Sequence, residues 1–130
     1  MRVAVGARLL AAAFLCSGTL HLLRPGFFEG IVPHGLPHPR ALVYLSGAAE
    51  LVCGGGLLNS RTRSAAGVAS AALLVAVFPA NVQMALDAHR SAGSAAYRLV
   101  TYLRLPLQLP LIWIALRAAG WRTGRRRLRP

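Results

Sequence analysis

Residues 65–86 contain no charged side chain, and this run constrains the chain more than any other feature of its sequence. At about 1.5 Å per residue, a helix of about 20 residues crosses the hydrocarbon core of a bilayer, which is about 30 Å thick. A helix on the surface of a soluble bundle instead carries a charged face opposite its apolar stripe, and this segment has no such face. The segment therefore predicts a membrane-spanning helix.

Three further apolar segments of similar length lie at 3–23, 41–58 and 99–117. Hydrophobic residues make up 55% of the sequence and charged residues only 14%, whereas an average soluble domain has about 25% charged residues. We therefore predict an all-α fold, with a four-transmembrane-helix bundle over residues 1–118. A basic cytoplasmic tail is predicted to follow at 119–130.

The first apolar segment begins close to Arg2 and Arg8, as the apolar part of a signal peptide does. However, Leu15 directly precedes Cys16, where lipoprotein processing requires a small residue, and no small-x-small cleavage site follows. We therefore expect this segment to be retained as the first helix.

The charge of the chain is strongly positive, with fifteen arginines, three acidic residues and a formal charge of +12. A small basic protein suggests nucleic acid, but the apolar composition argues against that class, and we expect no nucleic-acid partner. In a four-span topology most arginines lie on the side of the two termini and the 59–64 loop. By the positive-inside rule, we predict a protein of the bacterial inner membrane, in contact with the lipid bilayer, with both termini cytoplasmic.

Five polar or ionisable side chains interrupt the apolar segments, all in the outer half of the membrane on this topology. They are His21, Glu50, Asn81, Arg104 and Gln108. Because such groups are costly in hydrocarbon, they normally face the protein interior and have partners there. We predict one polar cluster that lines a cavity, with Glu50 and Arg104 as a charge-compensating pair. The alternative is a structural network that sets the register of the helices.

Three prolines lie inside the last two apolar segments, at Pro79, Pro106 and Pro110. A proline within a helix leaves the carbonyl four residues earlier without its backbone donor. For Pro79 that carbonyl belongs to Val75. We expect donors of the polar cluster to bind the carbonyls freed in this way.

The loop at 24–40, between the first two apolar segments, contains four prolines and three glycines. This composition forbids a continuous helix. Phe27, Phe28 and Ile31 suit the interface between lipid and water. We predict a re-entrant or surface-lying cover over the outer mouth of the bundle.

Neither a metal site nor a disulfide is predicted. His34 and His38 are four residues apart and Glu29 is near them, but the surrounding prolines break the helix that would align them as ligands. Cys16 and Cys53 do not form a Cys-x-x-Cys motif. We expect both cysteines to be buried, inert thiols.

Several short motifs occur in order along the chain: Gly18-x-x-His21, Pro25, Phe28, Val32-Pro33, Leu36-Pro37, Ser46-Gly47-x-x-Glu50, Phe78-Pro79-Ala80-Asn81 and Arg104-Leu105-Pro106-Leu107-Gln108. In these motifs and their order, the chain resembles the DoxX-like family of small bacterial membrane proteins. The resemblance covers about residues 10–115 and leaves out the basic tail and the two cysteines.

The resemblance implies a multi-pass inner-membrane protein with four helices. Some DoxX-like proteins are subunits of a thiosulfate:quinone oxidoreductase, and others are similar to components of membrane complexes that handle oxidative stress. No catalytic residue is carried over from the family, so the polar cluster remains an inference from this sequence.

Two functions follow as hypotheses. The first is a membrane subunit or scaffold of a redox assembly with a quinone pocket in the outer half, because quinone carbonyls need hydrogen-bond donors in an apolar slot. The second is a small solute transporter, in which prolines break helices near polar groups and a homo-oligomer supplies further spans. A stand-alone soluble enzyme fits least, since acidic residues are few and a phosphate-binding loop is missing.

Overall fold

The computed structural model describes residues 2–91 and 93–121, and five α-helices account for most of them. In chain order these are α1 (Arg2–Leu23), α2 (Pro25–Glu29), α3 (Pro39–Leu58), α4 (Arg63–Arg90) and α5 (Ala95–Ala118). All except the short α2 are long and apolar enough to cross a membrane. The described residues include no strand, and the predicted all-α, four-helix fold is confirmed.

The four long helices form a ring in which each packs against two others. α1 contacts α3 and α5, and α4 contacts the same two helices from the opposite side of the ring. The core inside the ring consists of small and aliphatic side chains with one aromatic residue, including Leu10, Phe14, Leu57, Leu74 and Ala115. The short α2 packs on α1 and α3.

The outer surface of the ring is apolar. Leu9, Leu45, Val52 and Leu109 are 65–75% exposed, and only 17–33% of each candidate span is buried inside the protein. Soluble monomers rarely expose continuous apolar surface on this scale. The protein is therefore a membrane protein whose outer surface contacts lipid.

Close backbone contacts hold the ring together. A Cβ atom built on Gly18 of α1 would lie 2.7 Å from the carbonyl oxygen of Gly47 in α3. One built on Gly67 of α4 would lie 2.6 Å from the carbonyl oxygen of Ala115 in α5. In lipid, where the hydrophobic effect does not drive helices together, this close packing of small residues is a main source of association.

The helices α4 and α5 are longer than the apolar segments that predicted them. α4 continues past residue 86, where the Gln83 amide donates to the Asp87 carboxylate over 2.9 Å, one turn further on. α5 begins before residue 99, because the Ser94 hydroxyl caps it and accepts from the Tyr97 N–H over 3.2 Å. Hydropathy marks the lipid boundary, whereas backbone hydrogen bonding continues beyond it. Of the predicted basic tail, 122–130 lie outside the described residues.

The two cysteines differ in their surroundings. Cys53 is buried, as expected, but Cys16 is exposed, so the prediction of a buried thiol at that position is wrong. Phe14 and Gly18 lie on the buried face of α1. Because Cys16 is two residues from each, it projects from the opposite face of the helix.

The contact between Gly18 and Gly47 predicts a difference between two glycine substitutions. Gly18→Ala should lower the free energy of unfolding in detergent by about 1–3 kcal/mol, because the new methyl group overlaps a backbone oxygen. Gly55→Ala is the control, since no atom lies within 4 Å of the position of its Cβ. Equal unfolding midpoints for the two variants would contradict the packing described above.

Candidate functional site

A cavity of about 360 Å³ lies within the ring and is lined by side chains from all four long helices. The structure brings all five predicted polar residues to its wall: His21, Glu50, Asn81, Arg104 and Gln108. Much of the remaining wall is apolar and includes Leu10, Phe14, Leu74 and Leu111. The site therefore combines an apolar enclosure with a few polar groups.

Residues 24–38, here called the cover segment, close one end of the cavity. Phe28, Ile31 and Val32 of this segment line it. The Phe28 ring stacks on the His21 ring, with centroids 3.8 Å apart and an interplanar angle of 17°. Arg40 Nε donates to Glu29 Oε1 over 2.5 Å, which ties the segment to the first turn of α3. The cover segment thus packs against a polar residue of the cavity wall.

His21 and Glu50 form a pair between α1 and α3. His21 Nδ1 lies 2.6 Å from the Ser17 carbonyl oxygen and 3.5 Å from Glu50 Oε2. Because a carbonyl oxygen only accepts, Nδ1 carries a proton, and Nε2 is an acceptor whenever the ring is neutral. The two side chains are only 14% and 10% exposed. Glu50 Oε2 is buried and has no hydrogen-bond partner among the residues described.

The predicted charge-compensating pair of Glu50 and Arg104 does not form a direct salt bridge among the described residues. Among the described residues, 2–91 and 93–121, His21 is the residue whose basic group lies within 4.0 Å of the Glu50 carboxylate. Arg104 instead places Nη1 3.7 Å from Met84 Sδ. The order of the helices explains the difference, because α3 packs directly against α1, whereas α5 lies across the ring from α3.

Asn81 and Gln108 form a second pair, between α4 and α5. Asn81 Nδ2 donates to Gln108 Oε1 over 3.0 Å, and Gln108 Nε2 donates to the Leu74 carbonyl oxygen. We expected cluster donors to bind the carbonyl freed by Pro79, which belongs to Val75; the acceptor is one residue earlier. Leu74 is 7% exposed and Val75 is 60% exposed. The acceptor therefore belongs to the residue on the buried face of α4.

Two contacts between elements at the site were not predicted from the sequence. The stacking of Phe28 on His21 joins the cover segment to α1, and the contact of Met84 with Arg104 joins α4 to α5. Spacing along one helix reveals neighbours on that helix but not partners on another. Phe28 was expected at the interface between lipid and water, but nothing in the sequence indicated its contact with His21, and Met84 is an ordinary apolar residue there.

The histidines of the cover segment do not form a metal site in the structure. His34 and His38 are exposed. Among the residues that the structure describes, no group of three His, Cys, Asp or Glu side chains is arranged to hold a metal ion. His38 has a left-handed backbone conformation, with φ of 52°, immediately before Pro39 begins α3.

The cavity retains hydrogen-bonding capacity on two sides. The Arg104 guanidinium has five N–H donors, and its one hydrogen bond within the described part of the chain is to a sulfur atom. Across the ring, a neutral His21 offers Nε2 as an acceptor. Such an arrangement suits a small molecule with an apolar body and polar atoms at two positions.

The Asn81–Gln108 pair predicts a measurable coupling. In a double-mutant cycle, Asn81→Leu and Gln108→Leu should couple by about 0.6 kcal/mol and by no more than about 1.7 kcal/mol, the range for hydrogen bonds between membrane helices. Unfolding in detergent provides the free energies. Gln83→Leu combined with Gln108→Leu is the control and should be additive within about 0.5 kcal/mol, since Gln83 bonds to Asp87. Additivity in the first cycle would show that the pair contributes nothing.

Comparison with known proteins gives one family. A family model described as a domain of unknown function (DUF8561) matches residues 10–119. This range contains every residue that lines the cavity. A search of curated protein sequences found no match, and a search of solved structures found none either. The chain therefore belongs to the DUF8561 family.

Proposed function

We propose that this protein is a membrane subunit or scaffold of a redox assembly that binds a quinone-type ligand in its cavity. The observation that carries the proposal is the convergence of five polar side chains from four helices on one apolar-walled cavity. Ligand sites are typically clefts of about 300–1,000 Å³ with apolar walls and a few placed polar groups. At about 360 Å³, this cavity suits a head group, and the apolar tail of such a ligand would extend into lipid.

The distribution of polar groups supports a ring with oxygen atoms on opposite sides. Arg104 on α5 supplies donors for a carbonyl oxygen. His21, on the α1–α3 side of the ring, supplies an acceptor for a hydroxyl group when neutral and a donor when protonated. Glu50 lies on the same side of the cavity, with Oε2 3.5 Å from His21 Nδ1.

The resemblance to the DoxX-like family supports the redox part of the proposal. All five polar residues of the cavity occur within the motifs that carry the resemblance. Since some DoxX-like proteins are subunits of a quinone-linked oxidoreductase, we propose other membrane redox subunits as the partners of this chain. A homo-oligomer is the alternative assembly.

A small solute transporter is the second candidate function. The sequence favours a transporter only if the prolines break the helices, because transporters form their binding sites from broken helices. In the structure α4 continues through Pro79, and α5 continues through Pro106 and Pro110. Unbroken helices remove that argument and leave the quinone proposal better supported.

We further propose that the protein lies in the bacterial inner membrane with both termini cytoplasmic. At one end of the bundle lie Arg8, Arg61, Arg63 and Arg117, where α1 and α4 begin and α3 and α5 end. In the sequence, α5 is followed by the arginine-rich residues 122–130. The cover segment and the cavity belong to the other end, which faces away from the cytoplasm in this orientation.

Quinone binding predicts thermal stabilisation of the purified protein. A short-chain quinone at a concentration of 100 times its Kd should stabilise the folded state by about 2.7 kcal/mol. Arg104→Met should weaken binding roughly tenfold or more, because hydrogen bonds to charged groups contribute about 1.5–3 kcal/mol. Arg90→Met is the matched control, since Arg90 is an exposed residue at the end of α4. A melting curve that no quinone shifts would refute the proposal.

The orientation predicts the behaviour of reporter fusions. Alkaline phosphatase, which is active only outside the cytoplasm, should be active when inserted after Gly35 and inactive when joined after Ser60. A green fluorescent protein joined at the C-terminus should fluoresce. The opposite pattern of phosphatase activity would place the termini outside the cytoplasm.

A further inference from the structure

A second pocket, of about 400 Å³, lies at the opposite end of the bundle from the cover segment. It is formed where α4 begins and α5 ends, and we call it the arginine pocket. Its lining residues are Ser60, Arg63, Ser64, Arg117, Ala118, Gly120 and Trp121. The backbones of the two helices meet beside it, because Gly67 packs on the backbone of Ala115 and Ala119.

The two arginines of this pocket are held in place without losing their charge. Arg63 Nε donates to the Leu57 carbonyl oxygen over 2.9 Å, at the end of α3. The Arg117 guanidinium lies over the Trp113 ring, 5.3 Å from its centroid. Carbonyl oxygens and aromatic rings orient a guanidinium but do not neutralise it. Both positive charges therefore remain available to an anion.

No acidic side chain is close enough to compensate these charges. The sequence has three acidic residues, Glu29, Glu50 and Asp87. Glu29 lies in α2, Glu50 lines the cavity, and Asp87 lies in the last turns of α4, far from its first turn. None of the three acidic side chains therefore supplies the counter-charge for the arginine pocket, and an anionic ligand fits it.

Other groups in the pocket suit an anion with several oxygen atoms. Ser60 brings a hydroxyl group, whereas the Ser64 hydroxyl donates its proton to the Ala119 carbonyl oxygen over 2.9 Å and so joins α4 to the end of α5. α4 begins at Arg63 without a side-chain hydrogen bond from its N-cap residue, Thr62. The Arg63 N–H is bonded to the Asn59 carbonyl oxygen over 2.9 Å, so the backbone donors of this turn that suit a phosphate are the N–H groups that follow it. A phosphate group would thus meet guanidinium, hydroxyl and backbone donors.

Two tryptophans mark the depth of the pocket in the membrane. Trp113 is 54% exposed and Trp121 is 61% exposed, and these are the two tryptophans of the chain. Tryptophan is enriched at the level of the lipid headgroups. The pocket therefore lies where lipid phosphates are concentrated, which favours a lipid over a phosphate compound dissolved in water.

We propose that the arginine pocket binds the phosphate headgroup of an anionic phospholipid. Basic pockets between membrane helices on the cytoplasmic side are suited to such headgroups. The proposal does not depend on quinone binding, because it concerns the opposite end of the bundle.

Native mass spectrometry from mild detergent tests this proposal. With equal amounts of phosphatidylglycerol and phosphatidylcholine added, the intact chain should retain phosphatidylglycerol preferentially. Arg117→Met should reduce its retention about fivefold, the effect expected for one arginine near the surface. Arg90→Met, which removes an exposed arginine at the other end, should leave retention unchanged. Added inorganic phosphate should not displace the lipid.

Three outcomes would overturn the proposal. These are equal retention of the two lipids, equal losses in the two variants, and displacement of phosphatidylglycerol by inorganic phosphate at millimolar concentration. If Arg117→Met does not fold, Arg117→Lys and the salt dependence of the unmodified chain replace it. The lysine variant should retain phosphatidylglycerol, and retention should fall as salt screens the charges. Retention that is lost in the lysine variant, or that salt does not change, would also overturn the proposal.

Discussion

A polar side chain inside a membrane must find its partners within the protein, since hydrocarbon offers none. In this chain five such side chains lie on four helices, and the ring pairs four of them with one another. His21 pairs with Glu50 across α1 and α3, and Asn81 pairs with Gln108 across α4 and α5. The apolar faces then turn outward to lipid, and the space between the two pairs is the cavity.

Small residues make this arrangement close enough for side chains to meet. At Gly18 and Gly47 the backbones of α1 and α3 approach so closely that a methyl group would overlap an oxygen atom. Gly47 also faces the Cβ of His21, 2.6 Å from where its own Cβ would lie. The same contact that holds the two helices together thus sets His21 against Glu50. The glycines that pack α1 against α3 therefore also position the polar side chains of the cavity.

The sequence predicted the helices and the polar residues but not all of the partners. A charge-free run such as 65–86 is stable in a membrane as a spanning helix, and the cost of placing the Glu50 carboxylate in hydrocarbon directs it inward. Partner choice depends on which helices are neighbours, and spacing along one helix does not encode that order. For this reason Glu50 meets His21 rather than Arg104. Cys16 was misplaced because hydropathy does not distinguish a core-facing from a lipid-facing side of an apolar helix.

The central claim is that the cavity inside the ring is the place where a quinone-type molecule binds. Photoaffinity labelling of the protein in membranes with an azido-quinone, followed by mapping of the labelled residues, tests it most directly. The account predicts labels on the cover segment and inner wall, at residues such as Phe28 and Leu111, and loss of these labels when unlabelled quinone is in excess. Labels confined to lipid-facing residues such as Val52 and Leu109, unchanged by the competitor, would contradict it.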